Sequence, residues 1–143
     1  MERMFCEYFG EQLTRRENKT NMHSSQIRGD YALQKSIFIP LTKESFGDFL
    51  RRKTWELRRA EKQWNEKQIF FGRKATLSCG YSGRRLRGIV GQVIFGSLES
   101  IFRQVPLCKI EPRAKSKKEA ISMNIDMLGT AEKYIAFEII LKN

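Results

Sequence analysis

The most informative part of the chain is Phe49-Leu50-Arg51-Arg52-Lys53-Thr54-Trp55-Glu56-Leu57-Arg58, because two different periodicities meet within it. Its first residues complete an apolar pattern at Phe46, Phe49 and Leu50, which are spaced at i, i+3 and i+4. That spacing places all three on one face of a helix. Thr42 can cap the start of this helix, which we predict to end at about Arg51.

The second half of the same stretch alternates between polar and apolar residues, as a half-buried strand does. Trp55 and Leu57 lie on one face of the predicted strand. Thr54, Glu56 and Arg58 lie on the other face. We interpret the first pair as core, and the second set as a polar face suited to function.

Further strands and helices are predicted on both sides of this junction. The predicted strands run over 36–39, 54–58, 74–81, 86–95 and 133–141, and helical segments over 97–102 and 117–128. Residues 59–72 form a charged connection whose Trp64 we expect to pack against the core, the alternatives being a stacking residue or a lid contact. The piece between Pro106 and Pro112 is predicted to be extended. Gly88 and Gly91 indicate bulges or bends, and Ser82-Gly83 a hairpin turn. Short strands with two or three helices favour an α+β fold built on a small β-barrel.

Composition limits the classes of protein that fit. The chain has 143 residues, of which 41% are hydrophobic, enough for one domain with a core. We assign the folded unit to 35–143 and a polar N-terminal extension to 1–34. No run approaches the roughly 18 apolar residues of a membrane helix. Three Cys and one His, without ligand spacing, predict no metal, no cofactor and a reduced, cytoplasmic protein.

Positive charge is concentrated in the middle of the chain. The 27 Lys and Arg exceed the 16 Asp and Glu, giving a formal net charge of +11. Residues 51–87 alone carry twelve basic and only three acidic side chains. Such a field attracts polyanions, so we expect RNA or another nucleic acid as the partner. The alternative is a solvated basic surface, and a membrane surface is not expected because no basic amphipathic helix carries the charge.

The junction also resembles the signature of ASCH domains, which are relatives of the PUA RNA-binding domain. That signature is a helix followed by K-T-x-E-x-R entering a strand, matched here by Lys53, Thr54, Glu56 and Arg58. Segments 72–77, 88–93 and 134–138 resemble later strands of the family in the same order, so the likeness covers roughly 36–141. Arg51 replaces the usual Gly, and Arg73 a common acid. The resemblance implies a PUA-like barrel, a cleft between barrel and helices, and RNA-linked roles.

Two groups of residues are candidates for ligand contact. Lys53, Glu56 and Arg58 can meet in one cleft, where Glu56 is held ionised and could accept from a base while the cations bind phosphate. The second group is the hairpin, where Tyr81 offers a stacking face beside arginines. The expected binding residues are Lys53, Thr54, Glu56, Arg58, Arg59, Tyr81, Arg84, Arg85 and Arg87. The alternatives are a salt-bridged strand face and a solvated hairpin tip with Tyr81 in the core.

Catalysis is the second functional hypothesis. Some ASCH-like proteins resemble small amidohydrolases in which a Thr three residues after the Lys is the nucleophile, and here that position is Glu56. Other ASCH proteins are linked to RNA cleavage, and Lys53 and Glu56 could act there as acid and base. A nucleotide-like ligand in the same cleft fits either hypothesis. The oligomeric state and the question of turnover stay open.

Overall fold

The computed structural model describes residues 35–80 and 83–142. The predicted extension at 1–34 lies outside these ranges. The elements are β1 (Ile37–Leu41), α1 (Lys43–Arg51), β2 (Trp55–Arg59), β3 (Lys74–Cys79), β4 (Arg85–Gly96), α2 (Leu98–Gln104), α3 (Leu107–Ile110), α4 (Lys117–Leu128) and β5 (Tyr134–Leu141). In the described part, no helix is both long and apolar enough to cross a membrane.

The five strands form one curled sheet in the order β1-β3-β4-β5-β2. Only β1 and β3 are parallel, while β3–β4, β4–β5 and β5–β2 pair antiparallel. The outermost strands, β1 and β2, approach each other closely enough for Arg58 of β2 to donate to the carbonyl oxygen of Pro40 in β1. The architecture is therefore α+β with a barrel-like sheet, as the sequence predicted. The sheet is a half-barrel, and the described part has four helices where two or three were expected.

The concave side of the sheet holds the larger core. Alternating residues of β5, among them Ile135, Phe137 and Ile139, face Leu77 of β3 on this side. Helix α1 adds Phe46 and Phe49, and the connection between β2 and β3 adds Trp64 and Ile69. The ring of Trp64 is stacked on Phe137 with 6.1 Å between centroids. The predicted packing role of Trp64 is confirmed, because the residue is 5% exposed and belongs to this core.

The convex side carries a second core under helices α2, α3 and α4. Trp55 and Leu57 of β2 lie there, as predicted, together with Ala136 of β5. The helices contribute a set of fully buried residues: Ile101, Phe102, Ile110 and Ala120. This cover spans β2 and the first half of β5, whereas Lys74, Arg85, Arg87 and Ile140 further along the same face are exposed. The convex side is thus half covered and half open.

Strand β4 changes register where a bend was expected. Its pairing with β5 shifts between Val90 and Val93, next to Gly91. A Cβ on Gly91 would clash with Oε1 of Glu138, the oxygen that accepts from the backbone N–H of Gln92 at 3.3 Å. Gly91 therefore makes room for a carboxylate that satisfies the bulged backbone.

The helix caps agree with the sequence patterns. Thr42, Ser97 and Ser116 accept from the backbone N–H three residues later, and Gly129, with φ of 81°, follows the end of α4. The prediction of an extended piece at 106–112 is wrong, because 107–110 forms the short helix α3. The prolines flank a single turn whose Ile110 is buried, and four residues are too few for a helical period to be visible in the sequence.

Candidate functional site

Lys53, Glu56 and Arg58 come together in a buried triad. The Nζ atom of Lys53 lies 3.1 Å from Oε1 of Glu56. On the other side, Oε2 of Glu56 accepts from Nη2 of Arg58 at 2.6 Å and from Nε at 3.1 Å. The three residues are 8%, 3% and 2% exposed, respectively. Both carboxylate oxygens are therefore held between two cations in surroundings that strengthen charge–charge contacts.

The end of helix α1 places Lys53 in this triad. The backbone N–H groups of Arg52 and Lys53 both donate to the carbonyl oxygen of Asp48 at 2.9 Å, which stops the helix just before β2. Arg52 at the C-cap has φ of −153° and ψ of −13°, so its φ is negative and lies outside the left-handed region that favours glycine. The cations at Arg51 and Arg52 are accommodated here because this turn needs no left-handed glycine.

Arg58 is held on several sides. Besides Glu56, its Nη2 atom donates to the carbonyl oxygen of Pro40 at 2.9 Å. Its guanidinium group lies over the ring of Trp64, with 4.8 Å from Cζ to the ring centroid. Arg58 thus joins the triad to the concave core and to the opposite edge strand, and it does not line the adjacent pocket.

A pocket of about 130 Å³ opens between α1 and α4, next to Lys53 and Glu56. Its apolar wall includes Leu57, Met123 and Met127, and its polar wall includes Ser45 and Asn124. The ionisable side chains that line it are Glu44, Asp48, Lys53, Glu56, Glu111 and Arg113. Four carboxylates and two cations give this pocket a mixed lining, in contrast to the basic cleft that the sequence led us to expect.

Two other predicted residues lie apart from this pocket. Thr54 holds the backbone together, since its N–H donates to the carbonyl oxygen of Lys109 and its own carbonyl accepts from Ile139. Arg59 points toward the end of α4, where it donates to the carbonyl oxygen of Leu128 at 3.4 Å and pairs with Glu61 at 3.2 Å. A cation at a helix C-terminus is a stabilising arrangement. Neither residue lines the pocket.

Of the predicted binding residues in the hairpin, the structure describes the three arginines and not Tyr81. Tyr81 lies outside the described residues, so its predicted stacking role stays a prediction. Arg84, Arg85 and Arg87 are exposed, and the guanidinium group of Arg85 lies over the ring of Phe38 at 5.4 Å. None of the three lines the pocket next to the triad. The two predicted groups of binding residues therefore occupy separate surfaces.

Part of the basic cluster is internal. Lys53, Arg58 and Arg73 are all less than a tenth exposed. Arg73 donates to the carbonyl oxygen of Gln68 at 2.6 Å and to its side-chain oxygen at 3.1 Å, which fixes the connection between β2 and β3. The positive surface within 51–87 is consequently smaller than its composition indicates.

Sequence reasoning missed several residues of the pocket. Ser45 lies in the first turn of α1, and its Oγ accepts from Nζ of Lys53 at 3.3 Å. Asn124 is buried in α4 and donates to Glu111 at 3.1 Å and to the carbonyl oxygen of Ala120 at 2.7 Å. A signal for Asn124 exists in the sequence, because it occupies a core position between Ala120 and Leu128 at i, i+4, i+8 spacing. Ser45 carries no comparable signal, because it lies in α1, eight residues before Lys53 and outside the K-T-x-E-x-R motif.

Comparison with known proteins identifies relatives in fold. The hypothetical protein PH0355 has a TM-score of 0.59 at 17% identity, over 72% of this chain and 95% of that chain. Protein PF0455 from Pyrococcus furiosus has a TM-score of 0.54 at 21% identity, over 75% and 97%. ASCH from Zymomonas mobilis has a TM-score of 0.50 at 15% identity, over 72% and 65%. No family model and no curated protein matches the sequence. The resemblance to ASCH domains drawn from the sequence is thus confirmed at the level of the fold.

Proposed function

We propose that this ASCH-fold domain binds RNA and takes one unpaired base into the pocket between α1 and α4. The observation that carries the proposal is the position of Lys53 and Glu56, whose paired atoms lie 3.1 Å apart on the wall of that pocket. Burying an ion pair costs desolvation that its own attraction seldom repays, so it is weak evidence for a purely stabilising role. A role in recognising a ligand would explain why an ion pair is buried at this position.

The size of the pocket suits a single ring. Its volume of about 130 Å³ is below the roughly 300–1,000 Å³ of sites for drug-sized ligands. An apolar cavity of about 150 Å³ is large enough for benzene. A splayed-out base is therefore a reasonable occupant, and recognition of unstacked bases is the usual mode of sequence-specific RNA binding.

The lining suits a base better than a phosphate. Carboxylates accept hydrogen bonds from the exocyclic amino groups of bases, and a lysine donates to ring nitrogens or carbonyl oxygens. Met123 and Met127 offer polarizable apolar surface for the faces of the ring. Four carboxylates would repel a phosphate placed in the pocket itself. In this proposal the cations on other surfaces bind the RNA backbone, and the pocket binds the base.

Binding is measured by fluorescence anisotropy with a fluorescein-labelled, 20-nucleotide single-stranded RNA of mixed sequence. Met127→Trp places a larger side chain on the pocket wall from an exposed position on α4 and leaves the three residues of the triad unchanged. Ile125→Trp is the matched control, because it is an exposed residue of the same helix that does not line the pocket. Loss of one bound base is expected to weaken binding by about fivefold or more for Met127→Trp. Equal affinities of the two variants would contradict the base-binding role.

Hydrolysis of RNA or of a modified nucleoside in the same pocket is the second candidate function. The observation that favours it is Ser45, a hydroxyl whose Oγ lies 3.3 Å from Nζ of Lys53 on the pocket wall. It stands second because Lys53 also pairs with Glu56, which favours the protonated amine and opposes a role as general base. Incubation of the same RNA with the protein, followed by mass spectrometry, is expected to return intact RNA. New products that disappear in Ser45→Ala would support the enzyme instead.

A further inference from the structure

A second surface, on the open half of the convex side, is suited to nucleic acid and shares no residue with the pocket. It is a groove of about 740 Å³ across β3, β4 and the end of β5. We call it the outer groove and define it by Lys74, Arg85, Arg87, Ile89, Ile140 and Lys142. The pairing of the strands sets these residues side by side, since Lys74 is opposite Ile89 and Ile89 is opposite Ile140.

The charge of the outer groove has one sign. Lys74, Arg85, Arg87 and Lys142 are all exposed; the first three lie on the adjacent strands β3 and β4, and Lys142 directly follows β5. None of the described residues that line the groove is acidic. The next side chain toward the covered half of β5, Glu138, turns to the backbone of Gln92 and does not line the groove. The surface is therefore complementary to a polyanion.

The apolar residues of the groove distinguish between kinds of polyanion. Ile89 and Ile140 are 39% and 48% exposed, and they lie between the cations. A duplex would present its phosphates to this surface and leave the two isoleucines with no partner. A single strand presents bases as well as phosphates, and those bases bind to apolar and aromatic surface. The combination favours a single-stranded nucleic acid.

A stacking position lies at one end of the groove. The guanidinium group of Arg85 lies over the ring of Phe38 in β1, with 5.4 Å from Cζ to the centroid. Arg guanidinium planes stack with unpaired bases, and a ring beneath the plane holds the guanidinium group in place. Two of the three hairpin arginines named from the sequence, Arg85 and Arg87, thus belong to a sheet surface that extends to Lys142, and Arg84 does not line it.

We infer that the outer groove binds single-stranded RNA, with Lys74, Arg87 and Lys142 on phosphates and Arg85 on a base. This inference rests on the proposed function, because it assigns the backbone-binding surface that a base in the pocket requires. The two surfaces then have different roles: the mixed lining of the pocket binds a base, and the cations of the groove bind the RNA backbone.

The test compares two double variants that remove the same charge. Arg87→Ala/Lys142→Ala changes the outer groove, and Lys62→Ala/Lys67→Ala changes exposed lysines of the connection between β2 and β3. Affinity for the labelled 20-nucleotide single strand, and for the same strand annealed to its complement, is measured over a range of NaCl concentrations. Thermal unfolding checks that all variants keep the fold.

The groove variant is expected to bind the single strand about tenfold or more weakly than wild type, and the control variant within about twofold. The slope of log affinity against log salt should fall in magnitude by about 1.4 for the groove variant, or about 0.7 for each lost phosphate contact. Equal losses in the two double variants would overturn the inference. A duplex bound as tightly as the single strand would also overturn it.

Three further outcomes distinguish failure of this inference from failure of the function on which it rests. Wild-type affinity in the groove variant, with weakened binding in Met127→Trp, would overturn the groove and leave the RNA-binding function standing. Absence of RNA binding by the wild type at low salt would overturn both. Binding to phosphatidylserine vesicles that needs Arg87 and Lys142, without an effect of these residues on RNA, would assign the groove to a membrane surface and overturn the inference.

Discussion

The Nη2 atom of Arg58 lies 2.9 Å from the carbonyl oxygen of Pro40, and this contact joins the two edge strands of the sheet. Arg58 belongs to β2 and Pro40 to β1, which stand at opposite ends of the strand order. The same Nη2 atom lies 2.6 Å from Oε2 of Glu56. One guanidinium group therefore links the seam of the half-barrel to the wall of the candidate site.

We predict that Arg58→Ala lowers the free energy of unfolding by about 3–5 kcal/mol, because it breaks a buried ion pair and leaves its carboxylate partner in the interior. The measurement is equilibrium unfolding in urea. Arg59→Ala is the control, since the neighbouring arginine is only partly buried and its ion pair is expected to contribute at most about 1 kcal/mol. Losses of the same size in the two variants would contradict the role of Arg58 in the seam.

Trp64 tests whether the long connection acts as core or as a mobile lid. The indole is 5% exposed and is stacked on Phe137, so Trp64→Ala should cost about 3–5 kcal/mol in the free energy of unfolding. Trp64→Phe keeps an aromatic ring, and we expect it to retain most of the stability and the full affinity for the labelled RNA. A stable Trp64→Phe protein with weakened RNA binding would show that the indole contacts the ligand.

Loss of the apolar residues of the outer groove should affect the salt dependence of RNA binding differently from loss of its cations. Ile89→Asn/Ile140→Asn removes apolar contact with bases and leaves every charge in place, so single-strand affinity should fall by about fivefold or more. The slope of log affinity against log salt should stay unchanged, because no phosphate contact is lost. Ile125→Asn, on the exposed face of α4, is the control for a surface isoleucine elsewhere. A change in slope would indicate that the isoleucines act through the position of the cations.

The bulge in β4 can be tested by coupling between two residues. Gly91→Ala places a Cβ against Oε1 of Glu138, and we expect a loss of about 1–3 kcal/mol in the free energy of unfolding. Glu138→Ala removes the obstructing carboxylate, so the double variant should lose less than the sum of the single variants. A double-mutant cycle in urea gives the coupling. Strict additivity would mean that the side chain of Glu138 moves away at no cost.

The local elements of this fold were predictable because each carries its signal within a few residues. Thr42 and Ser116 caps, the apolar alternation of β5 and the change of period at Lys53 all lie within single segments. The seam between Arg58 and Pro40 joins residues 18 positions apart in the chain, and the strand order depends on still longer-range pairs such as Trp55 with Glu138. No local pattern encodes either.

The triad and the pocket differ in how far the sequence revealed them. The K-T-x-E-x-R spacing places Lys53, Glu56 and Arg58 within one turn and one strand, so their convergence could be expected. Which cations are buried could not be predicted from the sequence. Arg73 inside the connection and Arg87 on the surface are the same residue type in the same basic cluster. The mixed lining of the pocket depends on Glu111 and Asn124, which reach it from elements far along the chain.

Photochemical cross-linking locates single-stranded RNA on the protein and so tests binding by the pocket and the outer groove together. A 20-nucleotide RNA with 4-thiouridine distributed along the strand is irradiated with the wild-type protein, and the modified peptides are identified by mass spectrometry. We predict cross-links in α4 around Met123 and Met127, and in the strands that carry Ile89 and Ile140. Cross-links confined to the 60–73 connection or to the exposed faces of α2, with none at these positions, would contradict it.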